Sequence, residues 1–347
     1  MNRNRLGCIL VGVLCLAFWP SITYAQTEAS PNVDPCKAPN VRTDVRPNAK
    51  GPPTEVSVGI RMVDLTEIND VMQTLTGDFV VILAWKDERL SHLEGCEISL
   101  DDIWSPGVAF LNSGRLFTSR PREVGIGPGG QVKYLQRYYG TLASYHNLQK
   151  FPFDKQNIVI SLLPIEWSEK DIKLILDEKV TGRRDRLNIS DWTIEDVTGV
   201  IERQYSVVND RFHSRYDFHI IVQRITVYYI WKVILPLCLI VAMSWCVFWI
   251  NPAQFGSQIG LSATSMLTLI AFIFATTQMV PKLGYFTTID FFIIGSTILV
   301  FLALLQSLTT SYLVSIDRVK MATLGDRICR FAFPLIFAAL VVVLFYR

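Results

Sequence analysis

The sequence predicts a β-sandwich joined to a bundle of four membrane-spanning helices, and three observations carry that expectation. First, charge is divided unevenly: of 64 Lys, Arg, Asp and Glu residues, only ten lie in residues 227–347. That is roughly one residue in twelve behind against roughly a quarter in front, where a typical soluble domain carries about 25%. Second, the 49 positions between Lys232 and Lys282 hold no charge at all, enough for two spans of about 20 residues each. Third, the front half is a series of short alternating or β-branched runs separated by turn-forming clusters, with no long amphipathic helix. A single soluble domain and a disordered chain are both excluded. The net charge of +2 comes with no basic patch or RNA motif, so nucleic acid is not expected as a partner.

The chain starts with a targeting segment. Arg3 and Arg5 precede an apolar run from Leu6 to Trp19, and Thr23-Tyr24-Ala25 ends in a small residue suited to cleavage. Residues 1–25 therefore read as a secretory signal peptide, too short and wrongly flanked for a span, which places the following half outside the cytoplasm. Residues 26–53, rich in Pro, Asn and Asp and without periodicity, read as a flexible leader. Once the signal and the apolar half are set aside, Cys36 and Cys96 remain. They form either one disulfide, in an oxidising compartment, or two thiols.

Residues 54–225 are the sandwich. The runs Val56 to Val63, Phe79 to Trp85, Gln131 to Ser144, Asn157 to Leu163, Asp191 to Val200 and Asp217 to Gln223 are its expected strands. Gly125 to Gly130 spells G-x-G-x-x-G, but Pro128 and the strand pattern from Gln131 deny it the helix a dinucleotide site needs, so a hairpin loop is expected. His92-Leu93-Glu94 lacks the cysteine partner of a zinc deaminase signature. With no nucleophile elbow and no zinc-protease motif, neither an enzyme nor a cofactor or metal site is expected.

Residues 226–347 are the membrane domain. The first span runs from about Val227 to Ile250, with Tyr228, Tyr229, Trp231, Trp245 and Trp249 as interfacial aromatics. Asn251-Pro252 breaks it from the second, and the third and fourth run from about Ile289 to Val314 and Ile328 to Tyr346. An outside amino end and four spans return the carboxy end outside. The loop holding Asp317, Arg318, Lys320, Asp326, Arg327 and Arg330 then faces the cytoplasm, in keeping with the positive-inside rule. In the second span Ser257, Gly260, Thr264, Leu267, Ala271, Phe274 and Gln278 recur at steps of three and four and share one helical face. Small and polar groups there serve either close helix packing or contact with water. The second use requires several subunits around an axis, because one helix encloses nothing.

These residues resemble the pentameric ligand-gated ion channels, the Cys-loop receptor superfamily, and its bacterial members in particular, over about residues 54–347. Phe151-Pro152-Phe153-Asp154-Lys155-Gln156 looks like the family's F-P-F-D-x-Q loop, and Trp104-Ser105-Pro106 like its W-x-P motif. Trp85, Asp87, Arg89 and Leu90 match W-x-D-x-R-L. Arg224 before the first span, Pro236 within it, Phe248-Trp249-Ile250-Asn251 at its end, and Pro281 to Tyr285 with Ile289-Asp290 after the second span match as well. The family's cysteines around F-P-F-D are absent, and the loop from Ser315 to Gly325 is short, as in bacterial members.

The resemblance implies a pentameric channel of five identical subunits in the bacterial inner membrane, with lipid around it, permeant inorganic ions within it and the second span lining the pore. Five copies of Leu267 and of Phe274 would then make apolar rings that gate by expelling water, with Thr264 and Gly260 forming a wider polar segment. Gly256, Ser257 and Gln258 fall at the inner mouth, and Pro252-Ala253-Gln254 resembles a spoiled Pro-Ala-Arg one turn too early. No pore charge sets selectivity, and cations are expected from the bacterial resemblance alone. Coupling between domains is expected through Phe151, Pro152, Phe153 and Asp154. The two phenylalanines should rest on Pro281 to Tyr285, including Lys282, and Asp154 should pair with Arg224, joined by Glu67 or Asp70. A small-molecule agonist would sit among Phe110, Tyr138, Trp167, Tyr205, Phe212 and Tyr216, with Tyr138 supplied by the facing subunit. Ile165 occupies a family aromatic position, which weakens an amine box. Protons are a rival stimulus, since His213, His219 and many carboxylates titrate. A non-conducting membrane-anchored sensor shares the topology but has no need of a polar second span.

Overall fold

The computed structural model describes residue 36, residues 42–277 and residues 282–345; the expected signal peptide, Gln278 and Pro281 lie outside the described residues. In chain order the strands are β1 (Thr54–Asn69), β2 (Thr74–Lys86), β3 (Glu97–Ser99), β4 (Val108–Phe110), β5 (Ser113–Thr118) and β6 (Glu123–Gly127). They continue as β7 (Gln131–Ala143), β8 (Lys155–Pro164), β9 (Ile172–Leu176), β10 (Gly182–Arg183), β11 (Trp192–Ser206) and β12 (Arg211–Arg224). One sheet runs β10-β1-β2-β7-β6-β3, with β5 on β7 and β9 on β1; the other runs β11-β12-β8-β4. Alternation along each long strand sends one face inward. Val56, Val58, Ile60 and Met62 of β1 and Phe79, Val81, Leu83 and Trp85 of β2 meet Ile158, Ile160 and Leu162 of β8 and Phe218, Ile220 and Val222 of β12 in one core. Trp104 stands edge-on to Trp85 at 6.0 Å and to Trp167 at 5.8 Å.

The six expected strands all form, but most run further than their apolar patterns reach. β1 continues to Asn69 through Asp64 and Glu67, bending at register shifts near Met62 and Leu65. β11 and β12 extend to Ser206 and Arg211 on polar residues such as Glu202, Arg203 and Arg215. There the backbone ladder is joined by a buried face made largely of polar residues, His213 and Ser214 with Tyr216. The six strands β3, β4, β5, β6, β9 and β10, of two to six residues, were not expected, because each is too short to show a period. The glycine-rich run closes the β6–β7 hairpin: Gly130 (φ 77°) lies where a Cβ would stand 2.1 Å from the Asp87 carbonyl oxygen. Its own carbonyl accepts from the Asp87 N–H at 2.8 Å. Residues 42–53, expected as part of a loose leader, instead wrap around buried Arg46, whose guanidinium donates to the carbonyls of Pro52 (2.8 Å), Asn48 (3.0 Å) and Gly51 (3.1 Å). Cys36 and Cys96 are joined in a disulfide with Cα atoms 5.4 Å apart.

Among the described residues four helices are long and apolar enough to cross a membrane: Val227–Trp249, Pro252–Thr276, Thr288–Ser315 and Val319–Phe345. The first carries a π-helical turn at Ile230–Ile234, just ahead of Pro236, whose missing N–H breaks the regular ladder there. The third starts on a capping box in which Thr287 and Asp290 satisfy each other's backbone N–H groups. The fourth begins at Val319, nine residues before the expected Ile328. Hydropathy marks where lipid begins, and the helix is already wound by then. Most of the expected loop from Ser315 to Gly325, and Asp326 with it, therefore belongs to a helix.

Candidate functional site

The second membrane helix has two polar sides with different surroundings. Gln258, Ser262, Ser265, Leu269 and Thr276 are buried against the rest of the chain. Ser262 and Ser307 hydroxyls meet at 2.7 Å, and Gln258 Nε2 donates to Asp326 Oδ2 at 3.1 Å and to the Ile250 carbonyl at 3.1 Å. Asp326 also accepts from Thr310 Oγ1 (2.8 Å) and Gln306 Nε2 (3.3 Å). Gln258, placed by sequence at the inner mouth, is thus turned into the helix bundle, and Asp326, expected as a loop charge, is buried there as the acceptor for donors of the second and third membrane helices.

The other side carries the expected face. Ser257, Gly260, Thr264, Leu267, Ala271 and Phe274 are all exposed, with Leu267 at 68% and Phe274 at 75%. A Cβ built on Gly260 meets nothing within 4 Å. Packing within the chain is therefore excluded as the reason for the small residues here. Thr264 and Thr268 hydroxyls donate back to carbonyls one turn earlier, which satisfies them without a neighbouring helix.

A second constellation lies where the sandwich meets the helices. Arg224, at the end of β12, donates to both oxygens of Asp154 (2.7 and 3.1 Å) and lies 2.8 Å from Asp70 Oδ2 in the β1–β2 turn. Its guanidinium stacks over Trp192 at 4.1 Å and Phe151 at 4.8 Å. Burial opposes the Arg224 charge, but the two carboxylates outweigh it and raise its affinity for the proton further. Asp70 shows the mirror effect: burial favours its neutral form, while His146 and Arg224 hold the carboxyl below its ordinary range. Of the two candidates for joining the pair, Asp70 does so and Glu67 does not, accepting instead from Asn69 Nδ2 at 2.9 Å.

The F-P-F-D loop reaches the helices by two phenylalanines with different fates. Phe151 is fully buried among Leu148, Val233 and Ile289, with Leu283 packed on the same cluster, and stands edge-on to Tyr229 at 4.8 Å. Phe153 does not rest on the Lys282 to Tyr285 segment: its ring meets Phe345, at the end of the fourth helix, at 5.2 Å. Tyr285 accepts from the Leu148 N–H (3.0 Å), and the Gln149 carbonyl accepts from the Thr288 N–H (3.0 Å). Lys282 is exposed. Sequence reading quoted Gln156 as the end of the motif but gave it no role; it ties the loop together by donating to Asp154 Oδ2 (2.6 Å) and the Asn147 carbonyl (2.7 Å). Sequence reading missed His146, whose Nδ1 lies 3.4 Å from Asp70 Oδ1.

The six aromatics proposed around a ligand do not come together. Tyr216 is fully buried, its hydroxyl accepting from the Ile60 N–H (3.3 Å) and meeting Thr181 (3.1 Å). Phe110, Tyr138 and Trp167 pack on the sandwich core, Phe110 edge-on to Tyr138 at 5.0 Å. Burial raises the Tyr138 phenol above its ordinary pKa. Its neighbour Tyr139, on the opposite face by strand alternation, is the exposed one and stacks on Phe117 at 5.4 Å. Only Tyr205 and Phe212 are exposed as a pair, 5.2 Å apart, with Arg203 over Phe212 at 4.5 Å and paired to Glu169. The turn they flank, Val207 to Asp210, is a short hairpin connection.

Residues 40–228 match the model of the neurotransmitter-gated ion-channel ligand binding domain, and residues 233–323 that of the neurotransmitter-gated ion-channel transmembrane region. The chain is similar to a proton-gated ion channel of Gloeobacter violaceus, 26% identical over 291 residues that span 82% of this chain and 80% of that protein. The two domain matches follow one another in chain order and together take in the sheets, the junction and the second membrane helix: the chain is a multi-pass membrane protein of the neurotransmitter-gated ion-channel family, the pentameric ligand-gated or Cys-loop receptor channels, and not an enzyme.

Proposed function

We propose that five copies of the chain assemble in the bacterial inner membrane, sandwich and carboxy end outside the cytoplasm, around a pore lined by Ser257, Gly260, Thr264, Leu267, Ala271, Phe274 and Gln278. The observation that carries this reading is the unpacked face of the second membrane helix, where two large apolar side chains stand exposed among small and hydroxylated ones. On a lipid-facing helix the small residues would have no use, and on an intramolecular packing face Leu267 and Phe274 would be buried. Rings of these two are the gate, closing by dewetting. Leu267→Ser or Phe274→Ala raises the resting leak; unchanged leak and activation in both sinks the gate assignment. Cations are the proposed permeant ions, on the resemblance to bacterial members, and the sign of the reversal potential in a salt gradient tests this. A chain that assembles but carries no current in a planar bilayer is a sensor instead.

The stimulus has two readings. A small molecule bound between subunits would use Tyr205 and Phe212 on one side, the two of the six aromatics that stand exposed as a pair. Proton gating is favoured by the break-up of the aromatic set, by the similarity to a proton-gated channel, and by the concentration of buried ionisable groups at the junction. Coupling runs through Asp70, Asp154 and Arg224, with Phe151 as the wedge into the helices. Current measured against pH without added ligand separates the two.

A further inference from the structure

One ionisable group at the junction is left unused by the ion-pair network. His146 is buried in the turn between β7 and β8, and its backbone N–H donates to Gln73 Oε1 at 2.7 Å, tying it to the β1–β2 turn. Its Nε2 lies 2.9 Å from Ser144 Oγ. Its Nδ1 faces Asp70 Oδ1 at 3.4 Å, and neither of those two atoms has a hydrogen-bond partner. Asp70 is therefore half satisfied: Oδ2 is held by Arg224 at 2.8 Å, and Oδ1 faces the ring nitrogen with no hydrogen bond between them. Buried polar atoms are almost always paired. Two facing orphans, a carboxylate oxygen and an imidazole nitrogen, are what one missing proton leaves behind.

We propose that His146 is the proton-receiving group of this channel, binding a proton at Nδ1 and donating it as a hydrogen bond to Asp70. This deepens the proton reading above and rests on it. With Nε2–H directed at Ser144, the neutral ring presents a lone pair to Asp70. One proton taken from solvent adds an N–H bond and one positive charge, and nothing else is made or broken. The result is a charge-assisted bond between the β1–β2 turn and the loop that carries Phe151 into the helices. Acid thus tightens the link between sandwich and pore.

Charged and titratable groups surround the ring. Asp70 faces it from the β1–β2 turn; Arg224 of β12 and Asp154 of its own loop stand behind Asp70, Tyr229 of the first helix borders the same cluster, and Glu67 is turned to Asn69. Arg224 holds the Asp70 carboxyl below its ordinary range against its burial, so it is already an acceptor where imidazole changes charge, between about pH 5 and 8.

The test uses the full-length protein in phospholipid bilayers, recording current from pH 8 to pH 5, together with a histidine 15N NMR titration of the same preparation. Expected are activation on acidification in the wild type, a shift of its midpoint by at least about tenfold in proton concentration in His146→Gln, and no shift in the control His92→Gln. The ring of His146 takes up a proton over the activating range. A His146→Gln channel with wild-type pH dependence, or a His146 ring that stays neutral down to pH 5, overturns the proposal. Should His146→Gln fail to assemble, the wild-type NMR titration decides alone. Absence of current at every pH counts against the pore, whereas the titration still decides the site.

Discussion

The two sides of the second membrane helix have nearly the same composition and opposite environments. One side, with Gln258, Ser262 and Ser265, spends its polar atoms on Asp326, Ser307 and its own backbone, inside the bundle. The other, with Ser257, Gly260 and Thr264, is open, and its exposed Leu267 and Phe274 have no partner within the chain to bury them. Polarity in a membrane helix therefore has two meanings, and only the surroundings tell them apart. On the buried side Gln258 Nε2 and Ser262 Oγ are bonded to particular neighbours, so changes there are expected to act on assembly. On the open side, under the proposed pore, they are expected to act on conduction.

The comparison ranks the expected effects of substitution. Asp326→Ala has the largest, since it strips the acceptor from Gln258, Thr310 and Gln306 at once; at about 1–3 kcal/mol for each buried donor left unpaired, thermal unfolding of the solubilised protein drops sharply or assembly fails. An unchanged unfolding midpoint breaks the claim that this side is structural. Asp154→Ala comes next: Arg224 keeps Asp70 and the Trp192 face, so the cost is bounded at about 3 kcal/mol. The protein assembles but activates poorly, and normal currents refute the coupling role. Tyr216→Phe loses the hydroxyl shared by Ile60 and Thr181, about 1 kcal/mol of stability. Its agonist response is unaltered, because the ring is core and not a ligand contact. Thr264→Ala on the open side shifts stability by no more than about 0.5 kcal/mol and is read in single-channel conductance.

Much of this was legible in the sequence, for physical reasons that also set the limits. Charge depletion over 49 positions and a 3–4 residue repeat are long signals, and they mark the spans and the open face of the second helix. The Asp154–Arg224 pair was legible through resemblance to a family. What stayed hidden depends on contacts between distant positions or on a single residue of parity. Asp326 looks like one of several loop charges, because Gln258, Gln306 and Thr310 lie 68, 20 and 16 residues away. Tyr138 and Tyr139 are adjacent, and strand alternation sends the one chosen from sequence into the core and leaves the other outside. Strands such as β10, two residues long, have no period to find. His146 has no local pattern that separates it from any loop histidine; its meaning comes from Asp70 across the junction.

The central claim is that the open side of the second helix meets water in a shared pore while the opposite side does not. Cysteine substitution tests it most directly, in a background where the free thiols Cys238, Cys246 and Cys329 are replaced by alanine. Single cysteines go in at Thr264, Leu267 and Ala271 on one side and at Ser262, Ser265 and Leu269 on the other. A small charged thiol reagent applied during activation is predicted to modify the first three and change the current in proportion. It is predicted to leave the second three, and their currents, untouched. Equal reaction on both sides, or modification of the first three with no effect on current, contradicts the account.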